Sequence, residues 1–470
     1  MAFYETWQLR ARFAEALSAM YGEEVPAYIT LVEVSQDVNK RYMEAVGATA
    51  ERLGTIDRVT AERHGAIRVG SPREMGQVAR VFAAFGMYPV GFYDLREAAK
   101  SSVPVVSTAF RPTDREELAK NPFRVFTSML ATDDPRFFSK ELQERLKRFI
   151  DSRTIFSDEL LEMAARAEAQ KGLDEADAAT FIELATAAFK LNDEAIDDEW
   201  YRELENISAV AADIGGVRFT HINHLTPRVF DIDDLYASME AKGVTMIDEI
   251  QGPPAWDGPD ILLRQTSFRA LDEERTFRFR DGSVGPGALR VRFGEVEQRG
   301  IALSPKGREL YDWMISETDE KLRAGETPTR DEAAQEVWKA NLPNTERGLR
   351  EEGLAYFTYE PVDGAEVAPG EYRVEQLIDA GAVRAEPIVY EDFLPRSAAG
   401  IFQSNLKTAG TRDNQQQGAD YDIAVMSQII GREIKEPFEL YREQEAESLE
   451  RLAKDLGVKV IPTPAVANNA

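Results

Sequence analysis

One short pattern occurs twice in this chain, and it constrains the fold more than any other feature. A histidine is followed four residues later by arginine and five later by valine, as His64-Arg68-Val69 and again as His224-Arg228-Val229. Side chains alternate between the two faces of a β-strand, so each histidine and its arginine would point the same way. Because the chain has only three histidines, the repeat predicts a metal site built from two copies of one unit.

The residues after the first copy predict a strand, a helix and then three strands. Ser71 and Pro72 are typical of a helix start, and Gly86 is typical of a helix end. The candidate strands of this unit are His64–Val69, Tyr88–Tyr93, Val103–Phe110 and Phe123–Leu130.

The second copy is followed by the same order of signals. Asp231 is a good helix cap, and Gly243 ends the predicted helix. The candidate strands are His224–Val229, Thr245–Ile250, Ile261–Ser267 and Leu289–Val296. The sequence therefore predicts an α+β fold with paired βαβββ units, since agreement in order, caps and breakers indicates an internal repeat.

Apolar residues at helical spacing predict helices in most of the remaining chain. We expect a helical flank at 1–58, the first unit at 59–130, a helical insertion at 131–212 and the second unit at 213–300. A helical and mixed region at 301–470 would complete the site, with a disordered tail at 464–470.

Composition excludes several classes of function. A net charge of −27 argues against nucleic-acid or membrane partners, since both are anionic. The absence of cysteine excludes disulfides, thiolate metal sites and cysteine nucleophiles. The N-terminus lacks a signal-peptide pattern and no apolar run could span a bilayer, which predicts a soluble cytoplasmic protein.

Two histidines and one carboxylate form the facial triad typical of non-haem Fe(II) oxygenases. Three protein ligands on one face of an octahedron leave three positions for a bidentate 2-oxo acid and O₂. The carboxylate should come from the last strand of the second unit, where Glu295 and Glu297 are both candidates. They are two residues apart and would point to the same face of a strand, so the alternation of side chains does not distinguish them.

His221 and His224 are an odd number of residues apart, so on a regular strand they would face opposite sides. His224 occupies the position equivalent to His64, which makes it the predicted ligand. His221 is then expected to have a supporting or structural role.

The arginines of the repeat have two interpretations. Arg68 could anchor a substrate carboxylate, because the guanidinium offers a bidentate fork. Alternatively, Arg68 and Arg228 could form ion pairs with two of the many carboxylates of this acidic chain.

Paired βαβββ units with metal on His, His and Glu resemble the vicinal oxygen chelate superfamily. Gly294–Arg299 is similar to the segment that bears the ligand glutamate in 4-hydroxyphenylpyruvate dioxygenase, which favours Glu295 over Glu297. A closer resemblance is to the 2-oxoadipate dioxygenase/decarboxylases. The segments similar to that family are His64–Gly70, Asn121–Ser128, His221–Arg228, Leu262–Phe268, Phe293–Gly300 with Pro305–Arg308, and Ser397–Leu406.

This resemblance implies Fe(II)-dependent conversion of 2-oxoadipate and O₂ to 2-hydroxyglutarate and CO₂ in lysine breakdown. It implies His64, His224 and Glu295 as metal ligands and Arg68 as the catalytic, substrate-binding arginine. Two further substrate contacts fall on Arg396 and Ser397. The family usually has an apolar valine at the first of these positions, so Arg396 is a departure. A buried arginine there would add a second carboxylate contact or shift the preference to another 2-oxo diacid.

Two other functions compete with this interpretation. Enzymes of the glyoxalase type in the same superfamily use Zn or Ni without redox chemistry, but their sites normally have four protein ligands. A metal-free binding protein of the same architecture would not need histidine and glutamate at the ligand positions.

Overall fold

The computed structural model describes residues 2–97, 103–290, 292–405 and 416–462. The predicted tail at 464–470 lies outside these residues. In the part of the chain that is described, no helix combines the length and the apolar composition needed to cross a membrane.

The N-terminal flank is mostly helical, as predicted, with one short strand at its start. Leu9, Phe13 and Leu17 recur at helical spacing and are buried on one side of the first helix. The elements are β1 (Phe3–Glu5), α1 (Thr6–Glu24), α2 (Pro26–Val46), a 3₁₀ helix (Gly47–Leu53) and α3 (Ile56–Ala61).

The first unit has the predicted order of strand, helix and three strands, with one short additional helix. The Ser71 hydroxyl accepts a hydrogen bond from the Glu74 amide at the helix start, and Gly86 follows the helix with a φ of +67°. The elements are β2 (Arg63–Val69), α4 (Pro72–Ala84), β3 (Tyr88–Asp94), β4 (Val105–Arg111), α5 (Arg115–Lys120) and β5 (Arg124–Leu130).

The predicted insertion is helical and contains two very short strands. Strand β6 pairs with β1, and β7 pairs with the strand Glu273–Arg278 of the second unit. The elements are α6 (Lys140–Asp151), α7 (Asp158–Gln170), β6 (Gly172–Asp174), α8 (Glu175–Ala187), β7 (Ile196–Asp197), α9 (Asp198–Glu205) and α10 (Ala209–Gly215).

The second unit repeats the first, with two corrections to the predicted strands. The strand expected at Thr245–Ile250 is wrong, because this segment makes only interrupted bridges beside β9, at Met246 and Gln251. The strand expected at Leu289–Val296 is two strands, since a hairpin inserted into the unit ends at Leu289. The elements are β8 (Ile222–Pro227), α11 (Ile232–Ala241), β9 (Leu263–Phe268), β10 (Glu273–Arg278), β11 (Val284–Leu289) and β12 (Gly294–Arg299).

The two units join through their first strands. The order β3-β4-β5-β2-β8 forms one sheet in which β2 runs parallel to β5 and antiparallel to β8. In the second unit, β12 lies parallel to β8 through the bridge between Arg228 and Glu297 and antiparallel to β9. Each unit therefore places its last strand parallel to its first, which is the repeat expected from the sequence.

The two faces of the joined sheet bury different cores. Ile67, Val69 and Val125 point into a core shared with the N-terminal flank. Ala66 and Phe126, on the opposite face, point into a core shared with the C-terminal region. This second face also carries the histidines.

The C-terminal region contains the helices expected after Lys306 and Arg330 and near the end of the chain. Its elements are α12 (Pro305–Ala324), α13 (Arg330–Asn341), α14 (Glu346–Glu351), β13 (Phe357–Pro361), β14 (Glu371–Arg373), α15 (Val374–Asp379), β15 (Val383–Pro387), α16 (Pro395–Asn405), α17 (Ile423–Ile430), α18 (Pro437–Leu456) and β16 (Lys459–Ile461).

Candidate metal centre

Three buried side chains from three strands converge at the junction of the two units. His64 on β2, His224 on β8 and Glu295 on β12 each offer a ligand atom, and these atoms all lie within 4.8 Å of one another. His64 Nε2 is 3.1 Å from Glu295 Oε1, and His224 Nε2 is 3.4 Å from Glu295 Oε2. Two imidazole nitrogens and a carboxylate oxygen are suitable donors for a divalent transition metal. No other group of this kind is found among the described residues.

Strand pairing explains why the two histidines meet. In the antiparallel register of β2 and β8, Ala66 lies opposite His224 and His64 lies opposite Thr226. Directly opposed residues point to the same face of a sheet, and so do residues two apart on one strand. Both imidazoles therefore lie on one face, in neighbouring pairs of that face. The parallel neighbour β12 then brings Glu295 to the same place.

His221 lies apart from this group, although the parity argument that separated it was wrong. The register of β2 and β8 shifts at Ala66/Ile67, and such a bulge breaks the strict alternation of faces. Beyond the shift, His221 and Arg68 reach the same carboxylate: His221 Nε2 is 2.8 Å from Asp213 Oδ1, and Arg68 pairs with Asp213. The structure places His221 in the supporting position that the sequence suggested.

Glu297 lies on the same face of the strand as Glu295 but contacts the Nδ1 side of the His64 ring. Its Oε2 is 3.0 Å from His64 Nδ1, and Arg299 binds both of its oxygens at 2.8 and 2.9 Å. A carboxylate on the far nitrogen of a histidine orients the ring and directs the other nitrogen toward a metal. Glu295, which accepts a hydrogen bond from Gln265, occupies the Nε2 side.

The surroundings shift the pKa values of the two histidines in opposite directions. Burial lowers the pKa of His224 to about 4, and the charge of Glu295 opposes this only in part. Burial also favours neutral His64, but the charges of Glu297 and Glu295 outweigh it and raise the His64 pKa. Burial would raise the pKa of Glu295, yet the two histidines hold it below its usual value. The carboxylate is therefore ready to bind a cation near neutral pH.

The two arginines of the repeat have different partners. Arg68 forms a buried ion pair with Asp213 of α10, as the second interpretation expected, and its charge also contributes to the low pKa of His224. Arg228 donates to Glu62 at 2.9 Å and to the carbonyl of Leu53. For Arg228 the ion-pair interpretation is confirmed.

Of the two predicted loop contacts, Ser397 is buried and Arg396 is not. Both lie in the first turn of α16, which packs against β9 through Asn405. The side chain of Arg396 is 60% exposed and pairs with Asp319 of α12. The expectation of a buried arginine at this position is wrong, because an acidic partner is available on the surface. Leu406, the last residue of that motif, lies outside the described residues.

Sequence reasoning missed the side chains that enclose the centre. Phe393 contacts the His64 ring edge-on at 5.0 Å between centroids, and Phe126 lies 5.0 Å from Phe393. Two hydrogen bonds from Arg299 to the carbonyls of Tyr390 and Asp392 fix the segment that carries Phe393. Phe126 shares its face with Ala66 and His64, so strand parity could have identified it. Nothing local in the sequence indicates Phe393.

Comparison with known proteins agrees with this geometry. Residues 13–405 match the family model described as 2-oxoadipate dioxygenase/decarboxylase. The chain belongs to that family. The 2-oxoadipate dioxygenase/decarboxylase of Mycobacterium tuberculosis is 52% identical over 437 residues, which cover 93% of this chain and 96% of that protein. The Pseudomonas putida protein of the same name is 41% identical over 464 residues, which cover 96% and 97%.

A solved structure extends the comparison to the fold. The chain resembles the crystal structure of the hydroxyglutarate synthase of Pseudomonas putida in complex with 2-oxoadipate, with a TM-score of 0.83 and 39% identity. The match covers 97% of this chain and 100% of that one. These relatives are enzymes, and this member of the family is an enzyme with the same fold.

Proposed function

We propose that this protein is an Fe(II)-dependent dioxygenase that converts 2-oxoadipate and O₂ to 2-hydroxyglutarate and CO₂. The observation that carries the proposal is the buried His64, His224 and Glu295 group, in a chain whose relative binds 2-oxoadipate. Bound there, Fe(II) would chelate the 2-oxo acid and activate O₂ for its oxidative decarboxylation. The reaction balances, because the substrate loses one carboxyl group as CO₂ and both oxygen atoms of O₂ enter the products.

The chain's own residues would hold and shield the substrate. Arg68 would bind a substrate carboxylate by charge-assisted hydrogen bonds, and the buried Ser397 would add a contact from α16. Phe126 and Phe393 would keep bulk water from one side of the centre, which strengthens electrostatic interactions inside it.

The position of Phe126 favours the dioxygenase over a glyoxalase-type enzyme. Arg228 and Glu297 form a parallel bridge, so four residues earlier on each strand His224 is level with Phe293. Glu295 is two residues beyond Phe293. In the first unit, the residue two beyond Arg124, the neighbour of His64, is Phe126. A phenyl ring therefore occupies the place where a fourth ligand would stand. Three protein ligands leave positions for a bidentate acid and O₂.

The exposure of Arg396 supports 2-oxoadipate over a different diacid as the substrate. That expectation required Arg396 to be buried, and its guanidinium instead pairs with Asp319 at the surface. In this proposal 2-oxoadipate is the preferred substrate, the side chain of Arg396 does not bind it, and the enzyme acts in the cytoplasm in lysine breakdown.

The test is an aerobic assay of the Fe(II)-loaded protein against 2-oxoglutarate, 2-oxoadipate and 2-oxopimelate. We expect O₂ uptake, CO₂ release and 2-hydroxyglutarate formation in equal amounts with 2-oxoadipate, and no turnover with the Zn(II)-loaded protein. Turnover of the Zn(II) or Ni(II) form without O₂ uptake would instead establish the glyoxalase-type reaction.

A further inference from the structure

Asp213 is a buried carboxylate in contact with Arg68, and the reaction itself gives it no role. It lies on α10, eight residues before His221 and 145 residues after Arg68. Its exposed fraction is 4%, as is that of Arg68. A buried carboxylate that serves only to neutralise one arginine would need a single partner, but Asp213 has three.

The three partners come from both units of the sheet. Arg68 on β2 binds Asp213 Oδ2, and Asn223 on β8 donates to the same oxygen at 3.1 Å. His221 Nε2 lies 2.8 Å from Oδ1. The Asp213 carboxylate is therefore fixed from two sides, independently of Arg68. Burial alone would raise its pKa, but the charges of His221 and Arg68 hold the pKa well below the usual range, so the group is ionised.

A fixed anion beside Arg68 would restrict the conformations of the arginine side chain. An arginine side chain has several rotatable bonds, and a guanidinium without a fixed partner would sample several positions along the face of β2. A misplacement of about 1 Å can cost roughly a hundredfold in turnover efficiency. The planar fork binds a carboxylate well only if its plane is already set.

We propose that Asp213 is a positioning residue that sets the guanidinium of Arg68 for the substrate carboxylate, with His221 and Asn223 holding Asp213 in turn. The inference rests on the proposed function in one respect, which is that Arg68 contacts the substrate. It assigns a function to α10, the helix that carries Asp213. It also explains why His221 is buried immediately before β8 without being in the ligand group.

The experiment is a double-mutant cycle with Asp213→Asn and Arg68→Ala in the Fe(II)-loaded full-length protein. KM and kcat for 2-oxoadipate are measured with O₂ in excess, and the dissociation constant is measured by anaerobic titration with 2-oxoadipate. We expect Asp213→Asn to raise both KM and the dissociation constant about tenfold or more, with kcat changed by less than about threefold. In the Arg68→Ala background, Asp213→Asn should have almost no further effect.

A matched control separates positioning from general loss of a buried anion. Asp134 is also buried and binds two arginines, Arg96 and Arg136, away from the histidines. Asp134→Asn should lower the melting temperature and leave KM unchanged. A conservative variant, Asp213→Glu, should recover part of the lost affinity, since it restores the charge.

The outcomes are distinguishable. An equal effect of Asp213→Asn with and without Arg68, or an unchanged dissociation constant, would overturn the positioning role while Arg68→Ala still weakens binding. If Arg68→Ala itself leaves binding unchanged, both this inference and the assignment of Arg68 fail. If the wild-type protein does not turn over 2-oxoadipate, the proposed function fails first.

Discussion

The two histidine strands have the same sequence pattern and different surroundings. His64 Nδ1 lies 3.0 Å from a carboxylate oxygen of Glu297, whereas the ion pair of His224 with a described carboxylate is on its Nε2 side, to Glu295. Arg68 forms a buried ion pair with Asp213, which also contacts His221, whereas Arg228 forms a buried ion pair with Glu62. Duplication supplied the backbone geometry twice, and the neighbours of each copy decided what its side chains do.

The histidine must be present in both copies of the repeat, whereas the function of the arginine can differ between them. Both copies must present an imidazole, because the metal would lie on the junction between the units. In the proposed function, only the first copy supplies an arginine to the substrate. The second arginine is free to stabilise the fold, and the following predictions test this division.

The largest effect is expected from removing either histidine. His64→Ala and His224→Ala should each abolish iron binding, measured as metal content after loading and desalting, because two donors hold a divalent ion poorly. His221→Asn is the control and should retain full metal content. Normal iron content in either alanine variant would refute the triad.

Replacing the second arginine should affect stability. Arg228→Ala leaves Glu62 buried with one fewer cation, which should lower the free energy of unfolding by about 3 kcal/mol. Denaturant unfolding of the metal-free protein measures this change. KM for 2-oxoadipate should stay within about twofold, and a large rise in KM would show that Arg228 also contacts substrate.

Replacing the first arginine should affect substrate binding. Arg68→Ala should raise KM for 2-oxoadipate about 30-fold, since it removes a charge-assisted interaction worth about 2 kcal/mol. Metal content should be unchanged. Steady-state kinetics with iron-saturated protein provide the measurement, and an unaltered KM would remove Arg68 from the site.

Removing the carboxylate behind one histidine should weaken the metal site more mildly. Glu297→Gln should lower metal affinity about tenfold, because His64 loses the partner that orients it. Competition with a chelator measures this affinity. If the variant lost metal as completely as His64→Ala, Glu297 would be a ligand.

The smallest effect is a pH dependence with opposite signs for the two histidines in the metal-free protein. The pKa of His224 is lowered to about 4 from 6.5, so its contribution to stability is complete above pH 6.5. That contribution falls by about 1–2 kcal/mol as the pH drops to 5. The pKa of His64 is raised, so its contribution is present below pH 6.5 and is lost as the pH rises through its folded-state pKa.

Denaturant unfolding of His224→Asn and His64→Asn between pH 5 and pH 8 tests these signs. Compared with wild type, the first variant should show a weaker rise of stability with pH, and the second a stronger one. The same change of slope in both variants would contradict the assignment of different surroundings to the two rings.

The sequence by itself determined the repeat and the ligand candidates. Strand periodicity, the cap at Ser71 and the breakers at Gly86 and Gly243 are local signals, so the order of elements was predictable. Parity correctly placed Glu295 and Glu297 on one face. It failed for His221, because a bulge depends on pairing with another strand and leaves no mark on its own sequence.

Only the tertiary structure decided which charged side chains pair with one another. Glu297 rather than Glu295 pairs with Nδ1 of His64, Arg228 pairs with Glu62, Arg396 pairs with Asp319, and Arg68 pairs with Asp213 of α10. Each of these choices depends on residues far apart in the chain and on which charges share a buried space. Local periodicity fixes the direction of a side chain, whereas its electrostatic partner is set by packing between elements.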